Sequence, residues 1–122
     1  MRLIALAALL VAAPVAAQSM NAEAFYQRAT ALQAKGPLAI FSRGEITTLM
    51  NEVKAAAQKA REQRLATIRA GGKPRYCPPD SSSIGSSEFM QRLSTIPAAE
   101  RARIDMTEAT VRVLASKYQC RA

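Results

Sequence analysis

The chain contains no histidine. That removes the commonest general base and the commonest metal ligand. Without it, Ser81, Ser82, Ser83, Ser86 and Ser87 have no base to activate them, and they read as loop and cap residues. Cysteine is scarce: Cys77 and Cys120 stand alone, with no C-x-x-C spacing for redox chemistry. Aromatic residues make up 5% of the chain, too few to build the walls of a glycosidase cleft around a carboxylate pair. Asp80, Glu88, Glu100, Asp105 and Glu108 are accounted for by loops, caps and helix faces. A lysine base is conceivable only at Lys54, Lys59 or Lys73, which lie near apolar sequence. No glycine-rich phosphate loop follows a strand, and no segment alternates apolar and polar residues. The expectation is a protein that is not an enzyme and holds neither a cofactor nor a metal.

The amino-terminal stretch MRLIALAALLVAAPVAA has the layout of a secretory signal peptide. Arg2 supplies the positive region and residues 3–15 the apolar core. Val15 and Ala17 are the small residues before a cut at Gln18. The run is too short for a permanent span of a bilayer about 30 Å thick, so no stable membrane anchor is expected. No lipobox cysteine follows it. Export to a bacterial periplasm is the expected localisation. Removing residues 1–17 leaves 105 residues, enough for one small domain, 18–122. An even cysteine count in an exported domain reads as a disulfide, Cys77–Cys120. Closing that loop is worth roughly 4 kcal/mol in the chain-entropy model. Loss of Arg2 lowers the net charge from +8 to +7. Export argues against nucleic acid as the partner. The basic residues read as dispersed over solvated helix faces, with anionic surfaces or an acidic protein as the alternative.

Helical periodicity fills most of the domain, and four helices are expected. Asn21 can cap a first helix over 22–35, with Phe25, Ala29 and Leu32 on one face, and Gly36-Pro37 stops it. Residues 38–41, Leu-Ala-Ile-Phe, make an apolar connector that is either a buried turn or a docking surface. Ser42 and Glu45 form an S-x-x-E capping box, with Phe41 and Ile46 as its staple. The second helix then runs to about residue 70, where Gly71-Gly72 ends it. Its stripe is Ile46, Leu49, Met50, Val53, Ala57 and Ala60. At about 40 Å it is long for the domain. Its distal half either projects, bends, pairs with a second subunit, or packs through Leu65 and Ile68 alone. Residues 71–87 form a loop rich in Pro, Gly and Ser. Ser86 can cap a third helix over 87–96, and Pro97 closes it. Residues 97–104 are a turn or short helical segment. Asp105 and Glu108 open the last helix, 106–118.

From Tyr76 to Cys120 the order of features resembles the carboxy-terminal signature of the Rap1a/Tai family, immunity proteins of the type VI secretion system. The matching elements are Cys77 with Pro79, then Phe89, Leu93 and Pro97. Glu100 and Arg101 follow in a turn, then Ala109, Leu114, Tyr118 and Cys120. The preceding helix departs from the family pattern: it is rich in Ala, Lys and Arg and has no cysteine. The resemblance implies an all-helical homodimer in the periplasm that blocks a peptidoglycan amidase effector by occlusion. A loop made of Pro78, Pro79, Asp80, Ser81, Ser82, Ser83, Ile84 and Gly85 is the candidate inserting element. The alternative is an envelope-associated helical protein that keeps the fold without the immunity role.

Overall fold

The computed structural model describes residues 19–121. The signal peptide read over 1–17 lies outside the described residues. Among the described residues the fold is all-α, with five α-helices and one disulfide. They are α1 (Ala22–Ala34), α2 (Arg43–Arg69), α3 (Ser86–Ser94), α4 (Ala98–Arg101) and α5 (Met106–Lys117). A 3₁₀ segment, Gly36–Ser42, joins α1 to α2. The count exceeds four because residues 98–101 close a full helical turn, with the Pro97 carbonyl accepting from Glu100 and Arg101.

Local chemistry explains most boundaries. The Asn21 side chain accepts from the Glu23 and Ala24 amides, and Asp105 accepts from the Glu108 amide. Both therefore act as N-caps. The two capped ends lie side by side: the Ala22 amide donates to Ile104 and the Met106 amide to Met20. Helix α2 ends in a Schellman motif. Gly72 donates to Thr67 and Gly71 to Ile68, and Gly71 adopts φ +78, which suits glycine.

Two expected caps do not form. Ser42 makes no cap hydrogen bond; its hydroxyl accepts from Lys35 instead. Glu45 is taken by Arg28 in a two-pronged pair, 2.6 and 2.7 Å. The staple fails with it, because Phe41 is 81% exposed. At α3 the N-cap is Gly85 rather than Ser86, and it offers no side-chain bond.

The core lies where α1, α2, α3 and α5 meet. Phe25 and Phe89 touch edge to face, their ring centroids 6.4 Å apart. Leu49, Ala56, Leu93, Ile96, Met106, Ala109 and Val113 complete it. A second cluster joins Ala60, Tyr76 and Val111. Ala56 and Ala60 are fully buried, whereas Ala57 of the expected stripe is exposed. These two alanines bring α2 against α5, the most extensive helix pairing of the fold. The distal half of α2 therefore packs within the chain. It does so through Ala60 and Arg64, and not through Leu65 and Ile68, which face outward. Leu65 lies one residue, about 100°, off the line of Ala56, Ala60 and Arg64, and Ile68 continues that line at the exposed end of the helix.

Arg101 is the one buried charged residue among the described residues. Its Nε donates to Glu23 at 2.6 Å. Its Nη1 reaches the Ile96 carbonyl, with Leu93 and Ser94 at 3.4 Å. The guanidinium sits 3.9 Å over the Tyr26 ring. One side chain thus ties α1 and α4 to the open carbonyls at the end of α3.

Candidate functional site

The loop proposed from the sequence is anchored at both ends. The Cys77–Cys120 bond fixes its start to the tail after α5, with the Cα atoms 5.0 Å apart. Beside it the Cys77 amide donates to the Tyr118 carbonyl at 2.8 Å. Near the far end the Ser83 carbonyl accepts from Lys117 Nζ and from the Tyr118 hydroxyl. Asp80, Ser81, Ser82 and Ser83 are exposed, Ile84 is half-buried against the core, and Gly85 caps α3. The eight residues do not all line one cavity. Pro78, Pro79, Asp80 and Ser82 form one wall of a cleft of about 460 Å³. Ile84 belongs instead to an apolar groove on another part of the surface.

That groove, about 320 Å³, lies between α1, the start of α2 and α3. Phe25, Leu32, Ile46, Met50, Phe89 and Met90 are among its lining residues. The 3₁₀ segment that leads into α2 exposes Leu38 (64%), Ile40 (59%) and Phe41 (81%), and Met50 is half exposed. The apolar connector is therefore not a buried turn. A 3₁₀ turn eclipses residues three apart and presents its side chains outward when neither neighbouring helix reaches over it.

The cleft beside the loop is of a different kind. Its floor is the distal half of α2, through Ala57, Arg61, Arg64 and Leu65, and Tyr76 and Leu114 close it. Arg64 Nε donates to the Tyr76 carbonyl at 2.9 Å, and its guanidinium lies 5.7 Å over the Tyr76 ring. Burial pushes the Tyr76 phenol up from its ordinary value, and the nearby Arg64 and Arg61 charges pull it the other way. Neither arginine pairs with a carboxylate among the described residues. The ion pairs sit elsewhere: Arg28 with Glu45, Arg75 and Arg112 with Glu108, Arg92 and Lys117 with Glu88, Arg101 with Glu23, and Arg112 with Glu100. The positive charge is thus less evenly spread than the sequence suggested. Its uncompensated part includes Lys54, Arg61, Arg64 and Arg69 on α2.

Four glutamates are favoured in their charged form by basic neighbours. Hydrogen bonds from Arg101, Arg28, Lys117 and Arg75 lower Glu23, Glu45, Glu88 and Glu108 respectively below their ordinary range. Among the described residues no three metal-ligating side chains gather. No helix among them is long and apolar enough to cross a membrane.

No protein-family model matches this chain, and neither a curated protein nor a solved structure is similar to it.

Sequence reading had no means to find the Arg61–Arg64 cleft, because its two walls are a helix and a loop that share no local pattern and are joined through the Arg64–Tyr76 bond. Arg101 was visible only as a turn residue, since nothing local marks a charge that will be buried.

Proposed function

We propose that this chain is a periplasmic protein-binding module of the immunity type, which binds and inhibits a peptidoglycan amidase delivered by type VI secretion. The observation that carries the reading is the exposed apolar face of Leu38, Ile40, Phe41 and Met50. Several large apolar side chains left exposed on a small basic domain mark a contact surface. Aromatic and Met side chains are the ones interfaces favour. Two further features support the rest of the reading. The leader-like amino terminus and the disulfide both fit an oxidising compartment outside the cytoplasm. The order of features from Tyr76 to Cys120 resembles that of the immunity family. Inhibition is by occlusion: the apolar face covers the enzyme's substrate cleft and supplies no reacting group.

Covering the Phe41 ring is worth about 2 kcal/mol, so Phe41→Ser weakens binding roughly thirtyfold and leaves the fold intact. The test is a strain lacking the gene, challenged by sister cells with an active secretion system. The expected result is lysis on contact, rescued by the wild-type chain and not by Phe41→Ser. Unchanged survival, with no amidase bound to the purified protein, overturns the proposal.

A second reading is an envelope-associated helical protein without an immunity role. It draws on the exposed cations Lys54, Arg61 and Arg69 along α2. Its signature is salt-sensitive cosedimentation with isolated envelopes.

A further inference from the structure

We propose that the cleft between α2 and the 78–82 loop is a second recognition site, which takes a carboxylate side chain from an acidic, apolar-flanked peptide segment of a partner protein. The proposal rests on the reading of the chain as a protein-binding module and adds a site remote from the apolar face. Arg61 and Arg64 follow each other by three residues on α2, so both guanidinium groups stand on one side of the helix. Arg61 is exposed and makes no ion pair among the described residues. Arg64 is half-buried and fixed by its Nε bond to Tyr76. One arginine is therefore held in place and the other is free to close on a ligand. An arginine fork matches the planar geometry of a carboxylate and donates two bonds to it.

The rest of the lining selects among anions. Ala57, Leu65, Pro78, Pro79 and Leu114 give the cleft apolar walls that a bare inorganic ion does not use. At about 460 Å³ it holds several side chains rather than one small ion. Asp80 in the wall repels a dianion more than a monoanion, which favours carboxylate over phosphate. Arg64 is half-buried between a helix and a loop, where a peptide segment reaches and the flat plane of a bilayer does not. The disulfide holds the loop wall in place, since Pro78 and Pro79 follow Cys77 directly.

The experiment uses the folded full domain. A fluorescein-labelled peptide that alternates Leu and Asp is titrated at low salt, with a Leu/Lys peptide, inorganic phosphate and anionic phosphatidylglycerol vesicles as separate arms. Backbone amide shifts are followed by NMR. The expected result is salt-sensitive binding of the acidic peptide, with shifts at Arg61, Arg64, Tyr76 and Asp80 and none at Phe41. Arg61→Ala lowers affinity by about tenfold, the loss of one charge-assisted contact, with an unchanged melting temperature. Arg64→Lys keeps the charge and loses the fork, and also weakens binding. Asp80→Asn strengthens it. Four results overturn the site: no binding of the acidic peptide at low salt, binding indifferent to Arg61→Ala, equal competition by phosphate, or binding to vesicles alone. Each can occur while sister-cell protection through the Phe41 face is intact, so this site and the immunity reading fail separately.

Discussion

Replacing Arg101 by Met tests the packing argument most sharply. Methionine keeps an apolar stem of similar length and removes every donor. Three carbonyls at the end of α3 then lose a shared partner, and the Tyr26 face loses its cation. The Glu23 carboxylate loses the bond that holds its pKa down. Removing one member of a buried ion pair costs about 3–5 kcal/mol. The Glu23 side chain keeps 19% of its exposure and can recruit water, so the lower end of that range applies, about 3 kcal/mol. For a domain this size that is a fall in Tm of roughly 12–15 °C, read by circular dichroism. Arg101→Lys reaches Glu23 or the carbonyls but not both, and falls between wild type and Met. Glu23→Gln keeps an acceptor for Arg101 and loses less than Arg101→Met. A melting temperature for Arg101→Met within 2 °C of wild type would refute the view of Arg101 as the tie between α1, α3 and α4.

Three further perturbations follow from particular contacts. Replacing Cys77 and Cys120 by Ser frees a 43-residue separation and costs about 4 kcal/mol in the chain-entropy model, read from urea unfolding. An unchanged midpoint would contradict the role given to the bond. The Thr110 hydroxyl is buried without a hydrogen-bond partner among the described residues, so Thr110→Val raises stability by about 1 kcal/mol, and a loss of stability counts against it. Glu23, Glu45, Glu88 and Glu108 have folded pKa values below the ordinary 4.5. Their contribution is present above that unfolded value and is lost as pH falls through the lower folded values. Melting temperature should therefore drop below about pH 4.5, and a flat profile down to pH 3 would contradict the pairing.

How much was legible in the sequence depends on how local the signal is. Asn21 and Asp105 cap their helices as expected because a short polar side chain needs only its own next turn. Gly71-Gly72 ends α2 for the same reason, through a left-handed residue and two backbone bonds. The Ser42 box was equally local but lost to longer-range competition, with Lys35 on Ser42 and Arg28 on Glu45. Periodicity left open whether the distal half of α2 packs through Leu65 and Ile68, and it could not see that Ala56 and Ala60 let α5 approach closely. Pairing Cys77 with Cys120 was readable by elimination. The cleft it shapes was not, because a wall made of two remote segments leaves no mark in either. The apolar connector at 38–41 left two readings open, and the structure resolves them in favour of the exposed one.

The central claim is that the Phe41 face meets an amidase. The most direct measurement places a photoreactive amino acid at position 41, and a control at exposed position 24, in protein expressed in its own host. Cells are irradiated during contact with sister cells, and the adducts are identified by mass spectrometry. The account predicts a crosslink from position 41 to a peptidoglycan amidase and none from position 24. Adducts at position 41 with envelope components alone, or none at all, would contradict it.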